Sequence, residues 1–107
     1  MKGIYYQRGE TLDYVNAGTS ILPAGTVVKL EKRIGVIGCD IPPGGKGSVH
    51  VSGVFQIPAT VSAEIKQGAA VFFNDTTGIT TTSTDTPAGF AAEAAKSGDT
   101  FVVVKIG

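Results

Sequence analysis

The sequence predicts an all-β fold, a small barrel or sandwich of short strands with at most one short helical turn. Val, Ile and Thr, whose branched side chains suit a pleated sheet, fill 33 of the 107 positions, whereas Leu fills three. Fifteen glycines and five prolines divide the chain at short intervals. Hydrophobic residues make up 42% and charged residues 17%, which is the opposite of the balance that keeps a chain disordered.

The length of 107 residues predicts a single domain, 1–107. Residues 1–19 are an N-terminal arm or the first strands, and residues 20–106 are the β core. Within that core, residues 76–86 contain seven threonines and form either a hairpin or an exposed loop. A folded chain of 10.9 kDa should expose roughly 5,600 Å², so only one modest core is expected.

Apolar or alternating runs predict the strands, and turn signals follow them. The runs are Thr11–Val15, Thr26–Leu30, Ile34–Ile41, Ser48–Ile57, Ala69–Phe73 and Phe101–Ile106. Val61–Gly68 is either one or two helical turns or a loop. The five phenylalanines are the best core candidates. Because neighbouring strand residues face opposite ways, Phe72 and Phe73 cannot both point inward, and one is expected at a subunit contact.

An internal comparison predicts two related three-strand units. Gly35 and Gly89 lie in similar apolar runs, and each is followed nine residues later by another glycine. The offset between the units is 54 residues here, and the threonine-rich segment would be an insertion in the second unit. Equivalent units share secondary structure, so Gly89–Ala95 is predicted to be a strand. This prediction overrides the strong helix formers in Ala91–Lys96.

The chain offers few side chains suited to catalysis or metal binding. Cys39 is the one cysteine, so no internal disulfide can form, and a buried apolar role is expected for it. Cys39 and His50 supply only two of the four ligands that structural zinc needs. His50 is expected to be exposed or at an interface, and Gly44–Ser48 departs from the Walker spacing and predicts a tight turn. We therefore expect no enzyme, catalytic residue, cofactor or metal.

The charge balance and the N-terminal residues limit the kinds of partner that we expect for this chain. Nine basic and nine acidic side chains give zero net charge, which argues against nucleic-acid binding and a polybasic membrane anchor. No apolar run suits a signal peptide or a membrane-spanning helix, and the single cysteine predicts synthesis in a reducing cytosol. Tyr5, Tyr6 and Arg8 are of residue types enriched where proteins meet proteins. The alternative is that they pack on the domain's own sheet.

An ordered set of segments resembles the small capsid cement (decoration) proteins of tailed bacteriophages. The segments are Gly53–Ala59, Gly68–Asp75, Ala88–Ala91 and Ser97–Asp99, with Ile34–Val36 and Gly44–Gly47 before them. The likeness covers roughly residues 20–106. Phe72 and Phe73 stand where Tyr-Trp is more usual in such proteins. Some relatives carry a recombinase label, which this chain does not support because it has no Walker loop.

The resemblance implies a virion structural protein that forms homotrimers and binds the outer surface of a phage head. There it would bridge neighbouring major capsid proteins and stabilise the capsid, after synthesis in the bacterial cytoplasm. The candidate capsid or subunit interface consists of Tyr5, Tyr6, Arg8, Phe72 and Phe73. The rival functions are another head, tail or prophage structural β-module, an enzyme or ligand binder that uses His50, and a nucleic-acid-binding barrel.

Overall fold

A computed structural model describes residues 1–107, and the chain forms nine strands and no helix, which confirms the all-β prediction. The first antiparallel sheet has the order β1-β4-β3-β2, from β1 (Thr11–Val15), β2 (Val27–Leu30), β3 (Arg33–Ile37) and β4 (Lys46–His50). The second has the order β5-β9-β8-β6-β7, from β5 (Gly53–Pro58), β6 (Ala70–Asn74), β7 (Gly78–Thr80), β8 (Thr86–Ala91) and β9 (Phe101–Ile106). A helix long and apolar enough to cross a membrane is therefore absent.

The two sheets follow one plan, which confirms the internal duplication and corrects its size from three strands to four. In the first unit (residues 11–50) β1 to β4 correspond to β5, β6, β8 and β9 of the second unit (residues 53–106), and β7 is additional. The pair Val28–Gly35 has its counterpart in Val71–Gly89. Further equivalent pairs are Val27–Val36 with Ala70–Phe90, and Ile37–Val49 with Ala91–Val104.

Glycine turns recur at equivalent places in the two units. The Gly45 N–H donates to the Pro42 carbonyl at 2.8 Å, while Gly44 takes a φ of 74°, as a type II turn requires. The corresponding turn of the second unit, Lys96–Asp99, is closed in the same way. The tight turn predicted for Gly44–Ser48 is therefore Pro42–Gly45, and the part of that segment from Lys46 onward already belongs to β4.

Aliphatic side chains build the core, and this corrects the expectation that phenylalanines would. Phe73 alone among the five is buried, whereas Phe90 and Phe101 are exposed. Alternation along β8 and β9 turns Ala91 and Val102 inward instead. The main cluster has fifteen buried residues, and Ile34 and Val36 of β3 are its only members from the first unit: Ile34, Val36, Ile57, Ala59, Val61, Ile65, Val71, Phe73, Ile79, Ala88, Ala91, Ala95, Val102, Val104 and Ile106. A second cluster in the first unit has three, Ile37, Ile41 and Val49.

Two sequence predictions are corrected by the path of the chain between the sheets. The run Ser48–Ile57 is not one strand, since β4 ends at His50 and β5 begins in the other sheet at Gly53. The alanine-rich strand is confirmed as β8, but it ends at Ala91, and the chain continues as a loop. In that loop Ala95 bridges Ile65, so Val61–Gly68 is a loop rather than helical turns.

The threonine-rich segment forms a hairpin in which β7 pairs antiparallel with β6. Ile79 of β7 is buried in the main cluster. Asp85 closes the base of the hairpin, since its carboxylate accepts hydrogen bonds from Thr80 Oγ1 at 2.6 Å and from Asn74 Nδ2 at 3.3 Å. A single parallel bridge links Ile79 to Ala59, but neither sheet closes into a barrel.

Candidate interaction surfaces

Residues 1–9, here called the arm, have no secondary structure, and all of them except the half-buried Gly9 are exposed. Ile4 is 90% and Tyr6 92% exposed, and Tyr5 is nearly as open, so these side chains do not pack on the domain's own sheet. The Arg8 guanidinium pairs with the Glu10 carboxylate at 2.7 Å, and both groups remain largely in solvent. An arm with three large, solvated side chains presents apolar surface that a partner can bury.

The arm continues directly into a free sheet edge. The Val51 N–H donates to the Glu10 carbonyl at 3.0 Å, and this bond fixes the point where the arm leaves the domain. β1 follows and pairs with β4 on one side only. Leu12 and Val15 of β1 are exposed. An unpaired edge of this kind can accept a strand from another chain.

The aromatic pair of β6 points in two directions, as alternation predicted. Phe73 is 8% exposed and belongs to the main cluster, so it offers a partner little surface. Phe72 is half-buried on the outer side of the sheet, opposite Thr80 of β7 and Pro87 of β8. An interface role for Phe72 stays a prediction.

The outer side of the second sheet carries an apolar surface that sequence reasoning missed. Val54 is 56% exposed, and Phe90 and Phe101 are 42% exposed. Lys105 lies between Val54 and Phe90 as the cross-strand partner of both, and Phe101 lies opposite Pro58. We define the outer apolar face as Val54, Pro58, Ala70, Phe90, Phe101 and Val103. The alternation of apolar residues along β5 and β9 was the sequence signal for this face. Alternation alone does not determine which side of a sheet is covered by other parts of the chain.

His50 and Cys39 are the side chains best suited to catalysis or metal binding, but they do not form a catalytic or metal site. The half-buried His50 ring lies 5.8 Å from the Phe55 ring, and its Nε2 would be 3.0 Å from a Cβ added at Gly38. Cys39 is exposed, which corrects the expectation of a buried thiol, because β3 ends at Ile37 and the cysteine follows in a loop. Neither residue lines any of the four surface depressions.

The remaining surface shows no arrangement suited to a metal ion or a deep ligand site. No group of three or more His, Cys, Asp or Glu side chains could hold a metal. The four depressions have volumes of about 330 Å³ or less. One of the larger two is lined largely by threonines of the hairpin and by residues 60–65.

A solvated arm, a free strand edge and an apolar sheet face are features of small all-β proteins that act by contact with other proteins. A family model described as phage cement protein matches residues 6–106 of the chain. The chain therefore belongs to the phage cement protein family, a family of capsid structural proteins. The match confirms the resemblance and extends it to Tyr6 and Arg8 in the arm. No curated protein and no solved structure matches the chain.

Proposed function

We propose that this protein binds the outer surface of a phage head, contacts the major capsid protein and stabilises the assembled capsid. The match of nearly the whole chain to the phage cement protein family carries the proposal. The physical basis is linkage. A protein that binds the assembled shell, and not the free capsid subunits, shifts the equilibrium toward the shell.

The arm is the part that we assign to the capsid protein. An extended segment can add a strand to a sheet edge of a partner, where backbone hydrogen bonds give affinity and alternate side chains give specificity. Alternation would place Ile4 and Tyr6 on one side of that strand and Tyr5 on the other. The exposure of these three side chains in the free chain supports this assignment.

Homotrimer formation completes the proposal. The three arms of one homotrimer would bind three equivalent sites on the head at the same time. Once the first arm is bound, the others bind at a high effective concentration, so even weak single contacts produce firm attachment.

Deletion of residues 1–9 tests the proposal. The cut leaves Glu10 and its bond to Val51 in place, so the truncated protein should keep its melting temperature and its oligomeric state. Its binding to purified expanded heads, measured by cosedimentation, should fall about a hundredfold or more.

The matched control is Ile21→Ser, which removes an exposed apolar side chain outside the arm. This variant should cosediment with heads like the wild type. Truncated protein that binds heads normally would contradict the assignment of the arm. Full-length protein that ignores heads, or that binds only tails or connectors, would contradict the proposed function itself.

A further inference from the structure

We infer that the outer apolar face is a contact between copies of this chain and does not face the capsid. The inference rests on the proposed function, because self-association is part of it, and it assigns a surface to that association.

The first argument is the chemistry of the face. Along β9, Val102 and Val104 are buried, and alternation turns Phe101, Val103 and Lys105 outward. The Lys105 ammonium already donates a hydrogen bond to the Gly107 carbonyl at 2.8 Å. The outward side chains of β5 and β9 include no carboxylate, so burial of this face would leave no acidic group without a hydrogen bond. Gln56 and Lys105 are its polar side chains, and a second copy would have to leave them at the rim or supply hydrogen-bond acceptors.

The second argument is the comparison between the two units. Val36 in β3 and Phe90 in β8 occupy equivalent positions, since Val36 pairs with His50 as Phe90 pairs with Lys105. Val36 is only 6% exposed because it packs in the main cluster, against side chains of the second unit. Phe90 is 42% exposed and has no such cover. In the first unit, this face is covered by side chains of the same chain. A second copy of the chain would cover the equivalent face of the second unit in the same way.

The third argument is the surface area. The chain exposes 7016 Å², whereas a compact monomer of this mass should expose roughly 5,600 Å². The excess of roughly 1,400 Å² is shared between the solvated arm and the exposed sheet faces. It is therefore an upper limit for the surface of the sheets that contacts between copies could cover.

Light scattering after size exclusion, without heads, tests the inference. The wild-type chain should be oligomeric, and the double variant Val54→Ser/Phe90→Ser should dissociate. Its dissociation constant should rise about tenfold or more, because central aromatic side chains dominate such contacts. The control Ile21→Ser removes an exposed apolar side chain of the first unit that lies outside the arm, the β1 edge and the outer apolar face, and it should leave the mass unchanged. Should the double variant fail to fold, Val54→Lys alone places a charge on the face at a well-exposed position.

A wild-type chain that is monomeric at every concentration up to its solubility limit overturns the inference. So does a folded face variant that keeps the wild-type mass, whether or not it still binds heads; lost head binding at unchanged mass would assign the face to the capsid. The proposed function is judged separately, by cosedimentation of the wild-type protein. A wild type that ignores heads but dissociates when the face is altered leaves the inference standing and removes the function.

Discussion

Asn16 is the one buried polar side chain, and both its amide nitrogen and its amide oxygen have hydrogen-bond partners. Its Nδ2 donates to the carbonyls of Ser20 at 2.8 Å and Ile41 at 3.0 Å, and its Oδ1 accepts from the Gly18 N–H at 3.0 Å. The side chain therefore ties the end of β1 to the loop that follows and to the segment before β4. The Asn16-Ala17-Gly18 sequence indicates a turn, but the partner at Ile41 depends on the tertiary fold.

Asn16→Ala should lower the free energy of unfolding by about 2–3 kcal/mol, because it removes three hydrogen bonds, one of them to the buried Ile41 carbonyl. Urea denaturation monitored by circular dichroism measures this change. Thr19→Ala, an exposed substitution in the same loop, should change stability by less than about 0.5 kcal/mol. Equal losses in the two variants would show that the hydrogen bonds of Asn16 contribute nothing particular.

Gly89 should tolerate no side chain, because two constraints coincide there. Its φ is 133°, and an added Cβ would collide with the Lys105 carbonyl oxygen of the paired strand. Gly25 also has a positive φ, of 90°, but an added Cβ would meet open space. We expect Gly89→Ala to cost about 3 kcal/mol or more and Gly25→Ala about 1 kcal/mol, measured by urea denaturation. Similar losses at both positions would contradict the role of the close approach at β9.

At the scale of the element, the threonine-rich segment, residues 76–86, is anchored from inside although its sequence is polar. Ile79 is its one apolar side chain and lies in the main cluster. Ile79→Ala should reduce the free energy of unfolding by about 2–4 kcal/mol through the cavity that it leaves. The exposed Thr81→Ala serves as control and should have almost no effect in the same thermal or urea melt. An Ile79→Ala protein as stable as the control would mean that the hairpin is not part of the core.

Most elements could be predicted from the sequence, since β-branched runs and glycine turns act locally. A strand was predicted over Gly89–Ala95 in spite of its helix formers, because Gly35 and Gly89 revealed the duplication, and the structure confirms it as far as Ala91. The break between β4 and β5 was missed because Ser48–Ile57 alternates without interruption, and only tertiary packing divides it between two sheets. The prediction that the phenylalanines form the core was wrong for a similar reason. Alternation divides the side chains of a strand between two faces, but packing determines which face is buried.

For the molecule as a whole, the core is divided unequally between the units. The first unit buries three side chains in its own cluster and gives two more to the cluster of the second. We expect a fragment of residues 53–107 to keep β structure with reduced stability, and a fragment of residues 1–52 to be unfolded. Circular dichroism and amide hydrogen exchange of both fragments measure this difference. Two independently folded fragments would contradict the prediction of a single domain.

The candidate site could be predicted only in part. The types of residue in the arm identified Tyr5, Tyr6 and Arg8 as contact candidates, and their exposure is consistent with that interpretation. The outer apolar face could not be predicted, because the side of the second sheet that stays uncovered depends on how the two units pack. The family resemblance, and not the chemistry of single residues, indicated the role in the capsid.

The unequal division of the core has a consequence for synthesis on the ribosome. The N-terminal half emerges first, but Ile34 and Val36 find their packing partners only in the half that is translated later. While the second half is still being translated, the β3 side chains therefore have no partners for burial and stay in water. We expect the first half to gain stable packing only after the strands of the second half are available to it.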